Sequence, residues 1–162
     1  SGEVISEWAV KHRTYSWVTY RCGLILVGGQ WHLYAYDPTS GEEVWDCAVD
    51  GWAETPPTVA GGIICCAVRD GDLHGIDSKT GSILWTLDVG SVQPQHYRRM
   101  MELQGKLYVF KRDFACIEPK TGEILWKREG CSVGTGPPAP TYRDGLVWFS
   151  NAAVYVGDIA EQ

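Results

Sequence analysis

The sequence predicts an all-β fold assembled from a repeated unit, and three observations carry that expectation. A nine-residue phrase recurs three times in register, the composition favours short strands closed by tight turns, and strand-like runs precede each phrase at matching distances. The phrases are "DPTSGEEVW" (37–45), "DSKTGSILW" (77–85) and "EPKTGEILW" (118–126), which place Trp45, Trp85 and Trp126 at steps of 40 and 41 residues. A constant step of this size marks a repeat architecture. Eight Trp and eight Tyr against two Met, with 19 Gly in 162 residues, point to turns and strands rather than to helices packed on helices.

Each unit opens with an extended stretch, such as "SWVTY" (16–20), "PPTVA" (56–60) or "APTYR" (139–143). A Gly then leads into a second, apolar run: "GLILV" (23–27), "GIICC" (62–66), "GKLYV" (105–109) and "GLVWF" (145–149). The third run is "WHLYAYD" (31–37), "GDLHGID" (71–77), "RDFACIE" (112–118) or "AAVYVGD" (152–158), and the fourth follows the turn and carries the Trp. Four strands in about forty residues is the arithmetic of a β-propeller blade. The chain therefore reads as one propeller domain over 1–162, with about four four-stranded blades at approximately 12–48, 49–88, 89–129, and 130–162 together with 1–10. The last of these reaches Asp158 in "GDIAEQ" without its Gly and Trp, whereas the N-terminal "SGEVISEW" offers a Gly, a strand and Trp8. That N-terminal strand is expected to complete the last blade, in the same molecule or in another copy, because a bare sheet edge invites aggregation. Gly2 and Trp8 are six apart rather than four, which calls for a small bulge.

The phrase itself reads as structural. Asp37, Asp77 or Glu118, and Asp158 at the head of the fourth copy, can accept backbone N–H bonds within the turn, while Gly41, Gly81 and Gly122 supply positive φ. Trp8, Trp45, Trp85 and Trp126 then fall on outer strands, where an indole can cover a neighbouring turn and its N–H can find a carbonyl.

This Asp/Glu, Gly, Trp pattern resembles the pyrroloquinoline-quinone-type β-propeller repeat, with its docked Trp residues, of quinoprotein alcohol dehydrogenases and BamB-like propellers. The resemblance covers the whole chain as repeats and implies the fold more than the activity. It implies an extracytoplasmic location, periplasmic or secreted. Propellers of this family usually close with eight blades, so a chain of about four forms a small ring, shares a ring with a second copy, or is a piece of something longer.

Some quinoprotein dehydrogenases carry a vicinal disulfide beside the cofactor, which draws the eye to Cys65-Cys66. The pair aligns with mid-strand Leu26-Val27, Tyr108-Val109 and Trp148-Phe149. Successive side chains there point to opposite faces, so buried thiols are expected instead. Cys22, Cys47, Cys116 and Cys131 show no zinc spacing. "GCSVG" (130–134) matches a nucleophile elbow around Ser132, but "GTGPPAP" follows where a helix is required. Gly134-Thr135-Gly136 fails as a dinucleotide loop for the same reason.

The segments joining one blade to the next differ from one another while the turns repeat, and variable loops on a repeated scaffold are the usual place for recognition. They are "KHRTY" (11–15), "DGWAET" (50–55), "SVQPQHYRR" (91–99) and "CSVGTGPP" (131–138). His12, Arg13, Trp52, Glu54, Gln95, His96, Tyr97 and Arg98 form a cationic and aromatic set suited to a carboxylate, a sugar or a peptide.

A net charge of -6 and a pI near 5.1 argue against a nucleic-acid partner. No apolar stretch approaches the roughly 20 residues of a membrane helix, and the N-terminal residues do not read as a secretory signal. Two functions follow. The sequence leans toward a non-catalytic interaction or assembly module, without a cofactor, that presents loops or a strand edge to a protein partner or to further copies of itself. The alternative is a quinone-dependent dehydrogenase, or part of one, that needs pyrroloquinoline quinone and calcium. Its metal would require converging oxygen ligands, for which these loops offer Glu54, Asp50 and little else.

Overall fold

Short apolar runs, bounded every few residues by Gly and Asp turns, give short antiparallel strands and, among the described residues, no helix. The computed structural model describes residues 7–10, 14–53, 55–69, 72–88, 99–110, 113–129, 141–143, 146–150 and 154–158. Four sheets follow one another along the chain. The first is ordered β1 (Thr14–Arg21), β2 (Leu24–Tyr36), β3 (Glu43–Trp52). The second is β4 (Thr58–Ala60), β5 (Ile63–Ala67), β6 (Leu73–Asp77), β7 (Ile83–Leu87). The third is β8 (Arg99–Leu103), β9 (Lys106–Phe110), β10 (Phe114–Ile117), β11 (Ile124–Arg128). The fourth is β12 (Thr141–Arg143), β13 (Leu146–Ser150), β14 (Val154–Asp158). Every neighbouring pair is antiparallel.

Two expectations change in the first sheet. The runs at 23–27 and 31–37 are one element, β2, whose first half pairs with β1 and whose second half pairs with β3. Between the halves Trp31 takes φ +68°, a left-handed conformation that a bulky side chain rarely adopts, and the ladder to β3 shifts register there. The second correction concerns "DGWAET". β3 runs on through Trp52, which pairs with Gln30, so the start of that segment is strand rather than loop.

The core lies between sheets, not within one. Leu26, Leu33, Ala35, Trp45, Cys47 and Val49 of the first sheet meet Ile64, Cys66 and Ile76 of the second. The other face of the second sheet, with Cys65, Ala67 and Leu73, meets Leu107, Val109 and Ile117 of the third. On the third sheet's far face Tyr108, Phe110, Phe114 and Cys116 pack with Trp126 and with Tyr142 of the fourth. The remaining face of the first sheet buries Val27, Tyr34 and Tyr36 against Trp8 and Val10. This is an arc of stacked blades, an all-β propeller arrangement. Of the N-terminal strand expected over 1–10 to complete the fourth sheet, residues 1–6 lie outside the described residues, and Glu7–Val10, with Trp8, belongs to no strand.

Candidate functional site

The repeated turn is built from its Asp outward. Asp37 Oδ1 accepts the backbone N–H groups of Thr39 and Ser40, both at 2.8 Å, and Asp77 Oδ1 accepts those of Lys79 and Thr80, both at 2.9 Å. The bonds from Ser40 and then Thr39 hold the Asp37 carboxyl below its ordinary value of 3.8, as those from Thr80 and then Lys79 do for Asp77. Glu118, one methylene longer, accepts the Lys120 N–H at 3.4 Å and also pairs with Lys106; its bond to that ammonium is the main reason its carboxyl titrates low. Gly41, Gly81 and Gly122 close the three turns at φ +72°, +71° and +76°.

Each of these glycines lies under an indole from the preceding repeat. A Cβ on Gly41 would stand 2.5 Å from Trp8, and one on Gly81 or Gly122 would stand 2.7 Å from Trp45 or Trp85. Trp45 Nε1–H donates to the Ser78 carbonyl at 3.1 Å, and Trp85 Nε1–H to the Pro119 carbonyl at 2.7 Å. The partner across the strand from each Trp is small: Ala35 faces Trp45, Gly75 faces Trp85 and Cys116 faces Trp126. Asp158 ends β14 opposite Leu146.

A polar link between the first two sheets went unread in the sequence. His74 on β6, 3% exposed, places Nε2 2.7 Å from Asp50 Oδ1 on β3 and Nδ1 3.1 Å from Thr86 Oγ1 on β7. A carboxylate only accepts, so Nε2–H donates to Asp50, while Nδ1 and the Thr86 hydroxyl share the second bond. Tyr34, Ala115 and Tyr155 occupy the equivalent places in the sequence of the other repeats, so no repetition signalled it. Asp50, a candidate calcium ligand in the sequence, is thereby engaged.

Of the loop set, Trp52 lies within the described residues. It ends β3, its carbonyl accepts the Arg69 N–H at 2.9 Å, and the Arg69 guanidinium stands 5.2 Å above its ring. His12, Arg13, Glu54, Gln95, His96, Tyr97 and Arg98 lie outside the described residues, as do 130–136 with Ser132. Cys65 and Cys66 sit mid-strand on β5, facing opposite clusters, and both are free thiols. Burial pushes each up to about 12, and Cys47 up to about 11.

The feature most suited to recognition is on β1. Trp17 is 72% exposed, Val18 66% and Tyr20 58%. Val18 and Tyr20 stand opposite Val27 and Ile25, on the face whose outer part Trp8 and Val10 cover. In the second and third sheets the inner-strand residues on that face, Val59 and Met100, pack into the cluster formed with the sheet before.

Stacked antiparallel blades, Asp-anchored turns and indoles reaching into the following turn define a β-propeller of the pyrroloquinoline-quinone-like repeat class. More narrowly, the model of the family described as outer membrane protein assembly factor BamB matches residues 1–129, and the chain belongs to that family. It is similar to the crystal structure of BamB from Moraxella catarrhalis, with a TM-score of 0.78 and 16% identity over 97% of this chain and 53% of that one. It is also similar to the computationally designed Ika4 protein, with a TM-score of 0.73 and 15% identity over 99% of both chains. A tetrathionate hydrolase from Acidithiobacillus ferrooxidans is 24% identical over 74% of this chain. The chain spans 29% of that hydrolase's length and about half that of the Moraxella protein.

Proposed function

We propose that this chain is a non-catalytic propeller module that presents loops or a strand edge to a protein partner or to further copies of itself. The observation that carries the reading is the exposed apolar surface of β1, where Val18 and Tyr20 share one face. Contiguous apolar surface on a folded protein marks an interaction site. Within this reading the indoles over successive turns hold blade to blade, so the repeated residues are structural and recognition falls to what does not repeat. The description of the family as an assembly factor agrees with such a role, and with an extracytoplasmic location.

The dehydrogenase alternative needs oxygen ligands converging on calcium around the quinone. Among the described residues no group of three or more His, Cys, Asp or Glu comes together to hold a metal ion, and Asp50 is engaged by His74.

A photoreactive benzoyl-phenylalanine at position 20, compared with one at exposed Glu123, tests the module. Protein adducts from position 20 but not from 123 are the expected result. Absence of any adduct, or dye reduction on an alcohol after adding pyrroloquinoline quinone and calcium, overturns the reading.

A further inference from the structure

The seam between the first two sheets carries chemistry that the packing alone does not call for. His74 and Thr86 are direct partners across β6 and β7, so their side chains share one face, and Asp50 reaches the same seam from β3. In the first and third sheets the matching pair of places holds Tyr34 with Asp46 and Ala115 with Lys127. The scaffold thus forms without a histidine beside a hydroxyl there.

The three side chains stand in the order nucleophile, base and orienter. Thr86 Oγ1 lies 3.1 Å from His74 Nδ1, close enough for a proton to pass, and Asp50 Oδ1 lies 2.7 Å from Nε2. When the ring is neutral, the bond to Asp50 keeps its proton on Nε2, and Nδ1 is then the acceptor for the Thr86 hydroxyl. Exposure is graded to match. His74 is buried, which holds the ring in place, whereas Thr86 is exposed on β7, the outer strand of its sheet. A reagent reaches the hydroxyl from solvent. Asp50 and Asp88, both exposed, give that approach a negative charge, which disfavours acyl donors that carry a carboxylate.

The geometry points to Thr86 as an acyl-accepting hydroxyl for short, uncharged activated esters, with His74 as its base and Asp50 as the positioning residue. Thr86 Oγ1 forms a bond to the acyl carbon, and the bond from that carbon to the ester's departing oxygen breaks. The hydroxyl proton passes to Nδ1 and then to the departing alcohol, while Asp50 stabilises the imidazolium at Nε2. One hydroxyl takes one acyl group, so this is a modification site and goes beyond the module reading without resting on it.

Acetylation by p-nitrophenyl acetate, followed peptide by peptide in a mass spectrometer on the folded full chain, tests the assignment. Exposed Thr39, in the first Asp turn, is the internal comparison. Thr86 should be acetylated about 100-fold faster than Thr39. Thr86→Ser should keep the reaction at that position and Thr86→Val should abolish it. His74→Gln should slow it about 100-fold. If that variant fails to fold, Asp50→Asn serves instead, because it keeps the shape of the side chain and removes its charge. It should slow Thr86 at least about tenfold and leave Thr39 unchanged, with Asp50→Glu recovering part of the rate. Equal rates at Thr86 and Thr39, or a Thr86 rate untouched by His74→Gln and Asp50→Asn, overturn the inference. Nitrophenol release far beyond one per chain, lost in Thr86→Val, supports acyl acceptance and overturns instead the non-catalytic part of the module reading.

Discussion

Gly75 lacks a side chain because Trp85 occupies the place a Cβ would take, with its ring 2.0 Å from that position. The small residues Ala35 and Cys116 play the same part opposite Trp45 and Trp126, so the indole needs clearance on its own sheet as well as a glycine turn on the next. Trp85→Ala should cost about 3 kcal/mol, as large-to-small changes of packed aromatics do. Gly75→Leu should be comparably damaging, and the double variant should cost less than the sum, because both changes report on one space. Chemical denaturation of the four proteins checks this; strict additivity would show that the two positions are independent. The Asp turns make a separate prediction. Their carboxyls are depressed in the folded chain, so the stability they contribute is present above the ordinary value of 3.8 and is lost as pH falls through the folded value. The melting temperature should therefore drop on acidification below about pH 4. Asp37→Asn with Asp77→Asn should flatten that slope.

At the scale of elements, β5 shows why a vicinal cysteine pair need not be redox chemistry. Cys65 and Cys66 face different inter-sheet clusters, and burial holds both thiols far above neutrality. At pH 7 a thiol reagent should label exposed Cys22 readily and leave Cys47, Cys65 and Cys66 unmodified until the protein is denatured, as mass spectrometry of labelled peptides would reveal. Rapid native labelling of Cys65 or Cys66 would contradict the packing. The strands themselves were legible because short apolar runs and the Gly turns that bound them are local signals. The fusion of two runs into β2 was not, since it depends on Trp31 accepting positive φ, which no propensity forecasts. The bond between His74 and Asp50 was also hidden, because it joins residues of different sheets and occurs in one repeat. The exposed strip on β1 escaped notice for a related reason. "SWVTY" reads like any inner strand, and whether its face is covered depends on what stands beside it.

For the whole molecule, removing residues 1–9 takes Trp8 away from Gly41 and uncovers Val27, Tyr34 and Tyr36. The shortened chain should melt lower and aggregate more readily, and light scattering during a thermal ramp would show both. Unchanged stability and solubility would mean that the N-terminal segment completes nothing. The reach of each indole into the following turn has one more consequence. Because every such contact links a repeat to its immediate successor, cutting the chain at two equivalent Trp positions and rejoining it leaves each surviving contact with a partner of the right kind. Excising the stretch from Trp45 to Trp85, or copying it, preserves the grammar of the chain while changing its length. Lineages of this architecture can thus gain or lose blades by recombination at the indoles, and blade number becomes an evolutionary variable rather than a fixed property of the fold.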